Sequence, residues 1–317
     1  MTKHTDLIFA IGIKLNLKQI WGTTMKISKI LALSLCLISS VSSGYVSAQS
    51  SKPSVKITHQ YEAFNAVVSG AGKPIILIPG VSSSAAVWTD TIEHFSDRYQ
   101  LHTLTLAGFA GVKAAAPETV GANYLEFQKN AILDYIRTNK LEDVVIVGHS
   151  LGGTLALWLA TEKHPQISAI VNVDGLPALG ALFANQQAPS GETPRSFDPK
   201  IMVKSMANNE AWHSQMLNEM MTSDPMTSGR AFGELMQLDL RDKLNEIERP
   251  VLTIGAPAQA APYVSYAATK NNYVTQLANI PEEFKHMAYA PTAKHFVMAD
   301  EPEWMLSQIE LFLKSNL

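Results

Sequence analysis

One short motif in the sequence carries the residue types of a nucleophilic centre. Residues 148–153 read Gly-His-Ser-Leu-Gly-Gly, which contains the pattern Gly-x-Ser-x-Gly. A serine between small residues can occupy a sharp, strained turn that exposes its hydroxyl. A helix that begins directly after such a turn stabilises negative charge developing near its N-terminus. We therefore predict that Ser150 is a nucleophile.

The segments on either side of this motif are those that such a turn requires. Residues 143–147 read Asp-Val-Val-Ile-Val and predict a buried strand, and residues 154–160 predict an apolar helix. Because a bare Gly-x-Ser-x-Gly occurs by chance, the order of strand, turn and helix is what makes the motif specific.

The rest of the chain alternates strands and helices in the same manner. Further strands are predicted at 61–68, 74–80, 101–106, 167–173, 249–255 and 286–290, and helices at 85–95, 124–138 and 301–314. Near-continuous apolar strands separated by helices predict a mostly parallel sheet with helices on both faces.

The alternation stops between the strands at 167–173 and 249–255. Residues 176–238 contain no convincing strand but several helical stretches and seven methionines, at 202, 206, 216, 220, 221, 226 and 236. We interpret 176–238 as a helical cap inserted before the penultimate strand, and 49–175 with 239–317 as the core.

These features together resemble a known family. The motif at 148–153, the turn Ile78-Pro79-Gly80-Val81 and the segment Ala293-Lys294-His295-Phe296 are similar to those of the α/β-hydrolase superfamily, in particular its capped, lipase/esterase-like serine hydrolases. The resemblance covers essentially all of the chain after residue 48. It implies the α/β-hydrolase fold and hydrolysis without a cofactor.

A serine hydroxyl needs a nearby base before it can attack. His295 follows the last predicted strand, and its surroundings resemble the family's His-Phe turn before a helix that starts with proline. The chain order of serine before histidine also fits this fold. We predict His295 as the base. Asp300, close by, is interpreted as the N-cap of the last helix.

The acid that should orient the histidine is displaced from its usual place. In most relatives it follows the strand that is 249–255 here, yet no Asp or Glu occurs from 249 to 281. Asp174, directly after the strand 167–173, is the candidate, because functional groups gather at the carboxyl ends of parallel strands. The alternatives are a Ser-His dyad, or an Asp174 that merely caps the turn.

The remaining site residues follow from the two turns. Leu151, after the nucleophile, supplies one backbone donor of an oxyanion hole. By resemblance Val81 supplies the second, with Ser82 as the other candidate. His149, Trp88 and Ser82 are the candidate substrate-binding residues, although His149 could instead shape the turn.

The cap composition suggests the kind of substrate. Its methionines could form a soft apolar surface for an acyl or aromatic ester. They could equally form the cap's own core.

The N-terminal segment predicts export. Residues 1–48 are interpreted as an upstream extension plus a secretory signal that starts at Met25, with cleavage after Ala48 and release to the periplasm or medium. The apolar run is too short for a membrane span. The only cysteine, Cys36, lies within this segment, so no disulfide is expected.

Composition excludes some partners. Five Lys and one Asp lie in residues 1–48, out of 25 Lys and Arg and 28 Asp and Glu, so the remainder carries a net charge of about −7. This charge argues against nucleic-acid binding. No metal-ligand or phosphate-loop motif is present. The sequence does not predict an oligomeric state.

The interpretation is an exported serine hydrolase that cleaves a small carboxylic ester through a Ser-His-Asp triad. One alternative is an aminopeptidase or amidase of the proline-iminopeptidase type, in which Glu210 or Glu219 of the cap would hold the substrate amine. Another is a cofactor-free perhydrolase. A third is a binding protein on a dead hydrolase scaffold, which the empty acid position suggests.

Overall fold

The computed structural model describes residues 57–183, 198–260 and 264–317. These ranges contain an eight-stranded sheet flanked by helices. The strands are β1 (Ile57–Gln60), β2 (Phe64–Gly70), β3 (Lys73–Ile78), β4 (Tyr99–Leu106), β5 (Val144–His149), β6 (Ile167–Val173), β7 (Val251–Gly255) and β8 (Lys285–Tyr289). The α-helices are α1 (Thr89–Phe95), α2 (Pro117–Val120), α3 (Tyr124–Thr138), α4 (Leu151–Thr161), α5 (Pro199–Met206), α6 (Glu210–Thr222), α7 (Pro225–Gln237), α8 (Tyr266–Gln276), α9 (Val297–Asp300) and α10 (Pro302–Asn316).

The sheet is parallel except at one edge. Its strand order is β1-β2-β4-β3-β5-β6-β7-β8. The pairs β1–β2 and β2–β4 are antiparallel, and all other neighbours are parallel. The predicted, mostly parallel sheet is confirmed. The sequence-based expectation starts the first strand at Tyr61, whereas the structure has β1 before that residue and begins β2 at Phe64.

The central strands are apolar throughout because both of their faces are covered. Along β3, Ile76 and Ile78 point into the core under α3 and α4, while Ile75 and Leu77 point into the core under α1 and α10. This period of two places alternate residues on opposite faces. All six residues of β5 are buried, which explains why its sequence does not alternate between apolar and polar residues.

Helices α4 and α10 pack against the sheet in different ways. Every residue of α4 is buried, so the helix behind the serine turn is fixed by core packing on all sides. Helix α10 buries Leu306, Ile309 and Leu313, the stripe expected from the sequence.

A helical cap is inserted between β6 and β7, before the penultimate strand, as predicted. Within 176–238, the described residues form α5, α6 and α7 and short turns, and no strand. The cap is tied to the core by hydrogen bonds at the start of α6 and along its length.

Asp300 is not the N-cap of the last helix, contrary to the sequence interpretation. Glu301 occupies that position and makes no side-chain capping bond. The Asp300 carboxylate instead accepts backbone N–H bonds from Asn208 (2.8 Å), Asn209 (2.9 Å) and Lys294 (2.8 Å). It therefore links the connection between α5 and α6 to the segment after β8.

The predicted signal within residues 1–48 lies outside the described residues. Among the residues that are described, none belongs to a helix with both the length and the apolar character needed to cross a bilayer.

Candidate active site

Ser150 lies between the end of β5 and the first residue of α4. Its backbone is in the left-handed region, with φ 56° and ψ −117°, a conformation that a serine rarely adopts. The Ser150 N–H donates to the carbonyl of Val173 at the end of β6 (2.9 Å), which fixes the turn against the neighbouring strand. The residue is partly exposed at the carboxyl edge of the sheet. Strain held by surrounding structure is common at functional sites.

The glycines of the motif are required by close approaches of the backbone. A Cβ on Gly148 would lie 2.0 Å from the carbonyl oxygen of Gly152, and one on Gly152 would lie 2.3 Å from that of Ile78. A Cβ on Gly153 would lie 2.2 Å from Oδ1 of Asn172. Larger residues at these positions would therefore push β3, β5 and α4 apart.

His295 and Asp174 meet at the same edge of the sheet. The His295 Nδ1–H donates to Asp174 Oδ2 at 2.6 Å, although 121 residues separate them in the chain. Asp174 directly follows β6, with φ 53°, and its side chain is 1% exposed, whereas that of His295 is 18% exposed. Since Nδ1 carries the proton that Asp174 accepts, Nε2 is left as the basic nitrogen on the opposite side of the ring.

His295 also lies beside the serine turn. Its ring centroid is 4.7 Å from that of His149, the residue directly before Ser150. The structure thus places His295 and Asp174, bonded to each other, beside the turn that carries Ser150.

The carboxylate of Asp174 has further donors. Its Oδ1 accepts the backbone N–H of Ala256 at 2.9 Å and the phenolic O–H of Tyr273. Burial raises the pKa of Tyr273 well above its usual value, and the Asp174 charge adds to the rise, so the phenol keeps its proton. Ala256 directly follows β7. The end of β7, where the sequence has no acid, therefore supplies a backbone N–H donor to the carboxylate of Asp174.

Two residues near Asp174 escaped the sequence analysis. Tyr273 comes from α8, and Asn172 comes from β6 and is fully buried. The Asn172 amide donates to the carbonyl of Gly175 and accepts its N–H, both at 2.9 Å, which closes the turn that presents Asp174. An amide inside an otherwise apolar strand is the signal that could have identified Asn172.

The turn after β3 lies against the serine. A Cβ on Gly80 would come within 3.0 Å of the Ser150 Cβ, so the chain passes directly over Ser150. The turn is closed by the Ser83 N–H, which donates to Gly80 at 3.3 Å, and Ser82 has φ 55°. Val81, the predicted second oxyanion donor, lies in this turn. Leu151, the predicted first donor, opens α4, where backbone N–H groups have no partner within the helix.

The three predicted substrate-binding residues have different surroundings. Trp88 is 0% exposed in the core between the sheet and α1, so the structure gives it a packing role instead of the predicted substrate contact. His149 is buried too, and its Nε2–H donates to the backbone carbonyl of His295 at 3.0 Å. Only Ser82 is partly exposed, and its hydroxyl bonds that of Ser228 on α7 (2.8 Å).

His149 is neutral in this setting. Burial is the main cause that lowers its pKa well below the usual value, and the neighbouring His295 lowers it further. A neutral His149 adds no positive charge beside His295 and holds its backbone by a hydrogen bond.

The two carboxylates considered for an amine substrate are placed differently. Glu219 is 7% exposed and accepts from the Ser84 N–H (3.1 Å) and the Ser84 hydroxyl (2.5 Å), so it fastens α6 to the core. Glu210 is exposed in the first turn of α6.

The cap methionines are divided between core and surface. Met216 is buried, whereas Met221 and Met226 are 68% and 82% exposed. Neither of the two sequence interpretations of the methionines therefore applies to all of them. Phe183 and Phe232 are about half exposed as well, at 48% and 50%.

The chain is similar to several known proteins. The family model described as "Alpha/beta hydrolase family" matches residues 75–308. A pimeloyl-[acyl-carrier protein] methyl ester esterase of Aeromonas hydrophila is 22% identical over 245 residues, which cover 72% of this chain and 94% of the relative. The enzyme of the same name from Vibrio cholerae is 25% identical over 206 residues, which cover 59% of this chain and 76% of the relative. Among solved structures, a hydrolase from Pseudomonas aeruginosa has a TM-score of 0.64 at 17% identity, covering 81% of this chain and 98% of that one.

Proposed function

We propose that this chain, which belongs to the alpha/beta hydrolase family, hydrolyses carboxylic esters through Ser150. Membership of the family confirms the resemblance and the enzyme class that the sequence indicated. The observation that carries the mechanism is the 2.6 Å bond between His295 Nδ1 and Asp174 Oδ2 beside the strained Ser150 turn.

The arrangement supports acyl transfer in two steps. His295 Nε2 takes the proton of the Ser150 hydroxyl, whose oxygen attacks the ester carbonyl. Asp174 holds the imidazole in the tautomer with a free Nε2 and stabilises the imidazolium that forms. The protonated His295 then gives its proton to the leaving alkoxide, and the alcohol departs.

Water completes the cycle. His295 accepts a proton from a water molecule, which attacks the acyl group on Ser150, and the acid is released as His295 returns the proton to the serine. The negative oxygen of each tetrahedral intermediate is assigned to the N–H groups of Leu151 and Val81. Removing one such donor typically costs about 10²–10³ in rate.

The proposed substrate is a small ester with an apolar group. The relatives named as methyl ester esterases support the ester, and the seven methionines of the cap support the apolar group.

Ester hydrolysis is preferred here over the alternatives. An aminopeptidase would use a cap carboxylate for the substrate amine; Glu219 is engaged by Ser84, which leaves the exposed Glu210 as the candidate for that role. The proposal of an inactive scaffold was motivated by the empty acid position, and Asp174 occupies the partner position of His295 from another strand. No observation favours perhydrolysis.

Steady-state hydrolysis of p-nitrophenyl esters from acetate to octanoate tests the proposal. We expect turnover by the parent, loss of turnover in Ser150→Ala, and unchanged rates in Ser307→Ala, an exposed serine on α10. Retained turnover in a folded Ser150→Ala variant would contradict the assigned nucleophile. Rates indifferent to acyl length would contradict the proposed apolar group of the substrate.

Export remains a proposal that rests on the residues up to Ala48 alone. Expression of the full sequence in a Gram-negative host, followed by fractionation and N-terminal mass spectrometry, tests it. The expected result is a periplasmic or secreted protein that starts at Gln49. An uncleaved protein in the cytoplasm would contradict it.

A further inference from the structure

The phenol of Tyr273 lies in the buried end of the proposed triad. Its O–H donates to Asp174 Oδ1, on the side of the carboxylate away from the His295 bond. Tyr273 is 2% exposed and Asp174 is 5% exposed, so water does not compete for this contact. A hydrogen bond to a buried charge is stronger than one between neutral groups.

The surroundings of the phenol fix which way its proton points. The Gln259 side-chain N–H donates to the Tyr273 oxygen at 2.8 Å, and the Ala256 N–H lies 3.2 Å from the same oxygen. A phenol has one proton to donate. Because these neighbours occupy its oxygen as donors, that proton is directed at Asp174.

The ring of Tyr273 is also held in place. A Cβ on Gly255, at the end of β7, would come within 3.1 Å of the ring, so the absence of a side chain there admits the tyrosine. The ring of Tyr289 on β8 packs near it, with centroids 6.2 Å apart. Helix α8 and two strand ends thus combine to place one hydroxyl on Asp174.

We infer that Tyr273 is a positioning residue that sets how strongly Asp174 attracts the proton of His295. This inference rests on the proposed function, in which Asp174 and His295 act as acid and base. The O–H dipole places positive charge against the carboxylate, which lowers its negative potential at the imidazole. Without the phenol, the imidazolium form of His295 is more strongly favoured, so His295 keeps its proton up to a higher pH.

Among the residues that the structure describes, few other charged groups lie near His295. Asp174 approaches from the end of β6, and neutral His149 approaches from the end of β5. In the same segment Lys294 directs its ammonium to a carbonyl of α5, and Asp300 accepts the Lys294 N–H and backbone N–H groups of the cap. The pair of Asp174 and its phenol is therefore the part of this environment that Tyr273→Phe changes.

The experiment is the pH dependence of kcat/KM for the parent, Tyr273→Phe and the control Tyr135→Phe. Tyr135 is also buried and donates its O–H to a buried acceptor, His102 Nδ1, at 2.7 Å, but on the face of the sheet covered by α3. For Tyr273→Phe we expect the acidic limb to move up by about half a pH unit and kcat to fall on the order of tenfold. For Tyr135→Phe we expect an unmoved limb.

A second substitution keeps the test decisive if Tyr273→Phe fails to fold. Site-specific incorporation of 3,5-difluorotyrosine at position 273 retains the hydroxyl and makes it a stronger donor. The acidic limb is then expected to move down, opposite to the Phe variant. The low-field NMR signal of the His295 Nδ1 proton should shift, relative to the parent, in Tyr273→Phe and in the 3,5-difluorotyrosine protein. It should not shift in Tyr135→Phe.

Asp174→Asn distinguishes a failure of the inferred role of Tyr273 from a failure of the proposed triad. An inactive Asp174→Asn with a Tyr273→Phe whose limb and kcat match the parent would overturn the role of Tyr273 and leave the triad intact. An Asp174→Asn as active as the parent would instead contradict the proposed acid.

Discussion

Replacing Asp174 by asparagine should change the tautomer of His295. The carboxylate accepts three hydrogen bonds: from Ala256 N–H and Tyr273 O–H at Oδ1, and from His295 Nδ1–H at Oδ2. Asparagine has one oxygen, which we expect to stay with the first two donors. Its NH₂ then faces Nδ1, which must become an acceptor, and the imidazole proton moves to Nε2. An Nε2–H cannot take the proton of Ser150.

The expected magnitude follows from that loss. A wrong tautomer with intact geometry costs about 10⁴ in kcat in serine proteases, so we expect a fall of about 10³–10⁴. This corresponds to about 4–5.5 kcal/mol of transition-state stabilisation. KM should change little, because Asp174 is buried beneath His295 and does not face the substrate.

The assay is single-ester kinetics at the pH optimum of the parent, with Asp300→Asn as the matched control. Asp300 is the other carboxylate of the segment and bonds three backbone N–H groups, but not the imidazole. We expect Asp300→Asn to lower the unfolding temperature and to keep kcat within about tenfold of the parent. A folded Asp174→Asn whose kcat stayed within tenfold of the parent would contradict the expected change of the His295 tautomer.

Three further outcomes follow from the structure. Gly152→Ala should lower the free energy of unfolding by about 1–3 kcal/mol in urea denaturation, because the new Cβ meets the Ile78 carbonyl, 2.3 Å away. Glu219→Gln should lower the unfolding temperature by leaving a Ser84 donor unpaired, with no selective loss for arylamides over esters. Burial lowers the pKa of His102 to about 4, so the unfolded chain binds more protons between pH 6.5 and 4. Stability should therefore fall by about 3 kcal/mol over that range, and His102→Gln should flatten the loss.

The sequence was most informative where one local pattern decides the structure. The serine turn needs a strand, a tight turn and a helix in direct succession, and all three are consecutive in the chain. Helix α3 was predicted with its observed bounds, Tyr124–Thr138, because its apolar stripe is a local pattern. Asp174 was predicted as the acid because no Asp or Glu follows β7 and because functional groups gather at the carboxyl ends of parallel strands, and the structure places its carboxylate on His295 Nδ1.

Contacts between distant parts of the chain were beyond local patterns. Tyr273 lies 99 residues from Asp174, and nothing in the sequence of α8 distinguishes it from a tyrosine that only packs. Trp88 was predicted to contact the substrate because it is an aromatic residue near the predicted site. In the structure it is fully buried and packs in the core. Asp300 was assigned to the helix next to it, while its bonds go to the cap. In each case the three-dimensional packing, not the neighbouring residues, decides the role.

Covalent labelling tests directly whether Ser150 is the nucleophile. The parent protein is treated with a fluorophosphonate probe, and the modified peptide is identified by mass spectrometry. We expect one equivalent of label on Ser150, no label in Ser150→Ala, and strongly slowed labelling in Asp174→Asn. A folded parent that stays unlabelled, or that reacts at another serine while Ser150→Ala still cleaves esters, would contradict the assigned nucleophile.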